Sequence, residues 1–159
     1  MIKLYNNSKV SFEVLLPILK QAYKLASIQG KIVVVVTRGR HGKGLFYRSK
    51  TLQYKRHFKS NRFIKSDAGF VVIWPELRTS KSTCDRAKRM CEVILHEFKH
   101  SQDYQQKAYF GEYHRNHDNR PHEIRANRFA RYEVFINESL IQNLTTELEN
   151  LMYYKHRNN

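Results

Sequence analysis

Five consecutive residues in the second half of the chain have the types and the spacing that suit metal chemistry. They are His96, Glu97, Phe98, Lys99 and His100. On an α-helix, His96 and His100 lie four residues apart and project from one face, where two imidazoles can bind one Zn²⁺. Glu97 follows the first imidazole and can accept a proton from a zinc-bound water and deliver it to a leaving amine.

A catalytic zinc site needs three protein ligands and one open position, so a third ligand must come from a separate element. Glu123, which lies 23 residues past His100, is the candidate. Asn127 is one helical turn beyond Glu123, so both side chains can face the same point. Asn127 is therefore predicted to accept a hydrogen bond from the far nitrogen of His96 and to orient that ring. Glu123 can also be an ordinary carboxylate at a helix start, stabilised by the helix dipole.

The stretch from Gly111 to Arg120 is predicted to be a loop, and it holds three further candidates. Tyr113, His114 and His117 can each stabilise the oxyanion of a tetrahedral intermediate. His114 and His117 are also alternatives to the downstream glutamate as the third zinc ligand. Each of the three can equally be a solvated loop residue.

The two motifs together resemble those of a known group of enzymes. The pattern His-Glu-x-x-His, followed at this distance by Glu-x-x-Ala-Asn-x-Phe-Ala, resembles the glutamate-ligand zincin metallopeptidases and, more narrowly, the ImmA/IrrE-type small metallopeptidases. The resemblance extends over residues 96–130. It implies a zincin-like fold, Glu97 as the general base, and zinc held by three ligands: His96, His100 and Glu123.

The elements that must position these residues begin with a helix and strands. An amphipathic helix is predicted from Ser11 to Gln29. Two strands follow, from Lys31 to Thr37 and from Leu45 to Lys50, joined as a hairpin by a glycine-containing turn. A third strand runs from Gly69 to Trp74, just before the helix that carries the first motif. We expect a peptide substrate to pair with this third strand.

Helical patterns dominate the rest of the chain. Ser82 and Asp85 fit a capping arrangement, and the helix that they begin is predicted to run to about Lys107. Pro121 is placed where the next helix begins, and a break is predicted near Asn137. The chain is therefore predicted to be one α+β domain over residues 1–159, with an N-terminal helix, a small, mostly antiparallel sheet, the active-site helix and C-terminal helices.

The net charge indicates the kind of partner that the protein binds, and the cysteines indicate the compartment in which it occurs. The net charge is +15, and the region from Arg38 to Lys65 is rich in basic residues with interleaved aromatics. Such a region suits contact with nucleic acid or another polyanion, although a solvated basic face has the same composition.

Cys84 and Cys91 are too far apart on one helix to form a disulfide, which predicts reduced thiols and a cytoplasmic location. No apolar run is long enough to span a membrane.

Three functions fit these patterns. The first is a zinc-dependent peptidase that acts on a protein or peptide and that its basic region can hold near nucleic acid. The second is a nucleic-acid-binding module whose zinc site is structural or degenerate. The third is a metal-dependent hydrolase of a non-peptide amide. An open metal site with a water distinguishes catalysis from a closed structural site.

Overall fold

The computed structural model describes residues 1–37, 43–48, 51–53, 63–74, 82–108 and 120–157. Within these ranges the chain has an α+β fold with four helices and six strands. In chain order they are β1 (Ile2–Asn6), α1 (Phe12–Leu25), β2 (Ile32–Val36), β3 (Lys43–Tyr47), β4 (Thr51–Gln53), β5 (Phe63–Lys65), β6 (Phe70–Trp74), α2 (Thr83–Gln105), α3 (Pro121–Ile136) and α4 (Glu138–Arg157).

Four of the strands form a mixed sheet in the order β1-β2-β6-β3, and β4 and β5 form a separate antiparallel pair. β2 pairs in parallel with both β1 and β6, whereas β3 pairs antiparallel with β6. Every residue of β2 is fully buried, as expected for an interior strand of a sheet covered on both faces. The prediction of a mostly antiparallel sheet is therefore wrong, because two of the three pairings in this sheet are parallel.

β3 differs from the prediction in both its bounds and its partner. The predicted strand ran from Leu45 to Lys50 and formed a hairpin with β2, whereas the observed strand pairs with β6 and sets Leu45 opposite Val72. The reason is that β1 and β6 occupy both sides of β2, so no side remains for a hairpin partner. β6 is consequently an interior strand, and β3 is the terminal strand of the described sheet on the side of α2.

Two differences occur near the N-terminus. β1 is a strand that the sequence analysis did not identify, and it pairs along its whole length with β2. α1 ends at Leu25 rather than at Gln29. Ser27 has a φ of 49°, which lies in the left-handed region and stops the helix.

The long helix α2 begins as predicted and contacts most of the other elements. The Ser82 hydroxyl accepts a hydrogen bond from the Asp85 amide at 3.0 Å, which caps the first turn. The helix ends at Gln105 and packs against α1, α3, α4, β3 and β6. α2 therefore links the sheet to the helical half of the molecule.

The start of α3 at Pro121 and the break at Asn137 both agree with the predictions. Ala126 and Ala130 of α3 are both buried, and their small side chains let neighbouring helices approach closely. No helix in the described ranges combines the length and the apolar composition needed to cross a bilayer.

The main core lies between the helices and one face of the sheet. Its largest members include Leu19, Ile73, Ile94 and Phe98. The opposite face of the sheet is covered more thinly, with Val35, Val72 and partly buried neighbours such as Ile64 and Trp74. The helix that carries His96 and His100 is therefore held by packing on several sides.

Neither cysteine takes part in a disulfide, as predicted. Cys84 is exposed, whereas Cys91 is fully buried on α2. Burial raises the pKa of the Cys91 thiol to about 12. Because metal binding requires the thiolate, this thiol is unsuited to be a zinc ligand.

Candidate metal centre

Two histidines of α2 face each other across one helical turn. The Nε2 atoms of His96 and His100 lie 2.9 Å apart, and their rings meet edge to face. The spacing of four residues produces this arrangement, because such residues lie one above the other on an α-helix. Packing of α2 against its neighbours leaves both imidazoles largely buried, with His100 the more buried of the two.

The third side chain comes from the first turn of α3. Pro121 occupies the first position of this helix, where its missing N–H costs no hydrogen bond, and Glu123 follows two residues later. Its Oε2 atom lies 3.2 Å from Nε2 of His96 and 3.3 Å from Nε2 of His100. The structure thus brings together the three residues that the sequence analysis selected as metal ligands.

The geometry of this triad matches a zinc site. When ligand atoms lie at roughly 2.0–2.1 Å from zinc at the corners of a tetrahedron, two neighbouring ligand atoms are about 3.3–3.4 Å apart. The three observed separations of 2.9, 3.2 and 3.3 Å therefore form nearly one face of such a tetrahedron. Two imidazoles and one carboxylate are also the donor set of a known class of catalytic zinc sites, in which a fourth position is open.

The local electrostatics hold the carboxylate in its ligand form. Burial alone raises the pKa of Glu123, but contacts with His100 and His96 outweigh it and keep the pKa well below its usual range. Burial lowers the pKa of His100, which favours the neutral imidazole that a metal requires. Glu123 is therefore ionised at neutral pH, as a metal ligand must be.

Asn127 makes the contact that the sequence analysis predicted for it. Nδ1 of His96 lies 3.0 Å from Oδ1 of Asn127. With Nδ1–H donating to this oxygen, the Nε2 lone pair of His96 points toward the triad and is available to a metal. The contact between Asn127 and His96 also joins α3 to α2.

Glu97 lies beside the triad beneath the terminal strand of the sheet. Its side chain is buried, and both it and Gly44 of β3 line the same pocket as the triad. Burial raises the pKa of Glu97 to about 7, against the opposing effect of the neighbouring His96. A carboxylate with a pKa near neutrality is well matched to accept and return a proton at neutral pH.

The sequence analysis did not identify Gly44, yet its lack of a side chain makes room for Glu97. A Cβ atom at position 44 would lie 2.6 Å from Oε1 of Glu97, which is far inside van der Waals contact. Nothing in the sequence signals this contact, because it depends on β3 pairing with β6 and passing over α2. Phe46 of the same strand stacks against His100, with ring centroids 6.5 Å apart.

Replacing Gly44 with Ala is expected to displace the Glu97 carboxylate. If Glu97 acts as a general base, this displacement should lower kcat by about tenfold to a hundredfold, because small misplacements of catalytic groups have effects of this size. Zinc content, measured by elemental analysis, should stay at the wild-type level, because the added Cβ atom would meet Glu97 first and Glu97 is not one of the three candidate ligands. A variant with wild-type kcat would show that Gly44 does not position Glu97.

A buried ion-pair network joins α2 to α3 on the far side of the triad. Asp103 is almost fully buried, and its carboxylate lies 2.9 Å from Nζ of Lys99. Nε of Arg125 donates to the same carboxylate at 3.1 Å, and another guanidinium nitrogen donates to the Ala108 carbonyl. Since Arg125 is only two residues past Glu123, this network holds the start of α3 against α2.

Replacing Asp103 with Asn is expected to lower the free energy of unfolding by about 1.5–3 kcal/mol, the usual range for hydrogen bonds to charged groups. Zinc affinity should fall by about tenfold to a hundredfold, as for other residues that orient ligands. Urea unfolding and competition with a chromophoric chelator measure the two effects. Glu149→Gln, at an exposed carboxylate in the interior of α4, is the control and should change neither. An unchanged zinc affinity in Asp103→Asn would contradict the positioning role.

His122 is a second residue of the pocket that the sequence analysis missed. Its Nε2 atom lies 3.3 Å from Oε1 of Glu123, the oxygen that points away from the histidine pair. Its ring also packs edge-on against His100. The signal for it was its place directly before Glu123 in the sequence.

Several predicted residues lie outside the described ranges. Tyr113, His114 and His117 all belong to the stretch 109–119, so the structure places none of them. Most of the basic region between Arg38 and Lys65 also falls outside those ranges.

Comparison with known proteins gives no match: no protein-family model, no curated protein and no solved structure matches this chain. Its function is therefore inferred from its own residues and their geometry.

Proposed function

We propose that the chain is a zinc-dependent peptidase in which Glu97 is the general base. The observation that carries this proposal is the triad of His96, His100 and Glu123, whose donor atoms lie within 3.3 Å of one another beside a buried carboxylate with a raised pKa. A purely structural zinc site is closed by four protein ligands, whereas a catalytic site has three and leaves one position open.

The residues around the triad can perform the steps of amide hydrolysis. When bound, zinc supplies a Lewis acid that polarises the scissile carbonyl and lowers the pKa of the attacking water. Glu97 takes the proton from this water as the new C–O bond forms, and then gives it to the amide nitrogen as the C–N bond breaks. Asn127 holds the His96 ring in the tautomer that leaves Nε2 available.

β3 offers a means of holding an extended peptide beside these groups. It is the terminal strand of the described sheet, and four of its five residues line the pocket that contains the triad. A peptide that adds to such a strand gains main-chain hydrogen bonds without any sequence requirement. This role replaces the one expected for the strand from Gly69 to Trp74, which lies in the interior of the sheet.

The arrangement of elements supports a zincin-like fold of the kind found in ImmA/IrrE-type enzymes. A helix bearing the first motif lies beside the terminal strand of a small sheet, and the third ligand comes from the next helix. The same motifs in the sequence carry the resemblance, which extends over residues 96–130.

The direct test is peptide cleavage that depends on zinc. The purified chain, loaded with one equivalent of zinc, is incubated with a randomised peptide library, and new termini are identified by mass spectrometry. We expect cleavage that stops when the chelator dipicolinate removes the metal and returns when zinc is added back. Absence of any cleavage, together with tight binding of an oligonucleotide, would favour the nucleic-acid-binding alternative. Cleavage that ignores the chelator would contradict the zinc-dependent mechanism.

A further inference from the structure

The pocket around the triad has a cationic rim whose members come from three separate elements. The pocket has a volume of about 320 Å³ and is lined along its floor by the triad, Glu97 and Asn127. Lys43 of β3, Arg89 of α2 and Arg131 of α3 line it with exposed side chains, whereas Arg48, which follows β3, lines it with a partly buried side chain. Cations from different elements that converge on one pocket indicate an anionic ligand.

The contacts between elements place the three exposed cations at one end of the pocket. Gly44 lies against Glu97 and Phe46 stacks on His100, so β3 runs alongside α2 in the same direction. Lys43 therefore lies toward the N-terminal half of α2, where Arg89 is also found.

α3 runs in the opposite direction to α2 and brings its cation to the same end. Arg125 pairs with Asp103, whereas Asn127 pairs with His96 nearer the start of α2. Arg131, one turn beyond Asn127, therefore lies beside the same half of α2 as Arg89. The three cations thus meet on one side of the triad, which we name the cationic end of the pocket.

The acidic groups of the pocket leave this end with an excess of positive charge. Glu92 is the one acidic residue of the described lining that lies there, and it forms an exposed ion pair of 3.5 Å with Arg89. Glu97 and Glu123 occupy the floor of the pocket. Three cations and one carboxylate therefore give the cationic end a net charge of +2. The apolar side chains of Val93 and Ala130 line the pocket beside them.

Taking the peptidase function as given, we propose that the substrate is a polypeptide segment with acidic side chains on one side of the bond to be cleaved. Those side chains pair with Lys43, Arg89 and Arg131 while the backbone lies along β3 over the triad. The cationic end therefore selects the register in which the chain is cut, because only one placement brings the acidic residues to these three cations.

The lining of the pocket favours a polypeptide over nucleic acid. Proteins that bind single strands combine cations with aromatic side chains on which bases stack. Phe46 is the one Phe, Tyr or Trp in the described lining, and its ring already packs against His100 and Tyr104. A pocket of this volume accepts a few side chains but not a duplex.

Paired peptides test this inference. Each cleaved peptide, the acidic copy, is compared with an amide copy in which Asp and Glu on one side of the cleaved bond are replaced by Asn and Gln. We expect the acidic copy to be cleaved with a kcat/KM about tenfold higher at low salt, with the difference shrinking as ionic strength rises. Equal cleavage of the two copies would overturn the proposal.

A charge-reversal variant tests whether the cationic end causes the preference for the acidic peptide. Lys43→Glu with Arg131→Glu should remove or invert the preference, measured as the ratio of kcat/KM for the acidic peptide to that for its amide copy, while the zinc content stays near wild type. The control is Lys20→Glu with Lys24→Glu, which makes the same change in net charge at exposed positions of α1, outside the pocket. This control should keep the preference. Its loss in the control as well would show that net charge, rather than the cationic end, is responsible.

Binding to the Glu97→Gln variant separates this inference from the proposed peptidase function. Fluorescence anisotropy of a labelled acidic peptide and of its amide copy reports docking without cleavage. Tighter binding of the acidic peptide would support the cationic end even if the wild type cleaves nothing, in which case only the peptidase function fails. Equal binding of the two peptides, or displacement of the acidic peptide by an oligonucleotide that binds more tightly, would overturn the inference.

Discussion

Replacing Glu97 with Gln is expected to lower kcat for peptide hydrolysis by about 10²–10⁴, the usual contribution of a general base. Gln has nearly the same shape, so it fits the space beneath Gly44, but it cannot take a proton from the attacking water. Zinc should remain bound, because Glu97 is not one of the three ligands. KM should change little, since the loss falls on the chemical step.

The matched control for this variant is Glu133→Gln on α3. Glu133 is also a buried carboxylate on a helix, and it accepts a hydrogen bond from Asn137 away from the pocket. Its replacement should leave kcat within a factor of about two. The kcat of each variant is measured from the cleavage of quenched fluorescent peptides. A Glu97→Gln chain that retains more than about a tenth of the wild-type kcat would show that another group is the base.

Replacing Glu123 with Ala is expected to weaken zinc binding by more than about a hundredfold, beyond the range found for residues that merely orient a ligand. Two imidazoles remain, but they provide only two of the three donors and none of the negative charge. The affinity is measured by competition with a chromophoric chelator at pH 7.5. The loss of metal should abolish hydrolysis completely, unlike the partial loss in Glu97→Gln.

Glu133→Ala controls for the general effect of removing a buried carboxylate from α3. It should lower stability but keep one zinc per chain. If Glu123→Ala instead keeps wild-type zinc affinity, the third ligand is another residue, and His114 and His117 become the leading alternatives.

The helices and the contact between His96 and His100 could be predicted from the sequence because they depend on local spacing. Each pattern used for these predictions involves residues within one or two helical turns of each other. The patterns are histidines four residues apart, a serine three residues before an aspartate, and a proline at a helix start. The contact between His96 and Asn127 joins two helices, and it could be predicted because Asn127 lies one turn beyond Glu123 on the second of them.

The sheet could not be predicted in the same way, because strand neighbours depend on contacts distant in the sequence. The hairpin prediction for β2 relied on nearness along the chain, whereas β1 and β6 cover both of its sides. The continuous run of β-branched residues from Ile32 to Val36 was a usable signal, since such runs are typical of interior parallel strands. The place of Gly44 over Glu97 followed from that pairing and was therefore missed as well.

X-ray absorption at the zinc edge, on the chain loaded with one equivalent of zinc, tests the central claim most directly. The triad predicts only nitrogen and oxygen neighbours at about 2.0–2.1 Å, with outer-shell scattering from two imidazoles. A sulfur neighbour at about 2.3 Å would assign the metal to a cysteine. Scattering from three imidazoles would replace Glu123 with another histidine. Either result would contradict a centre formed by His96, His100 and Glu123.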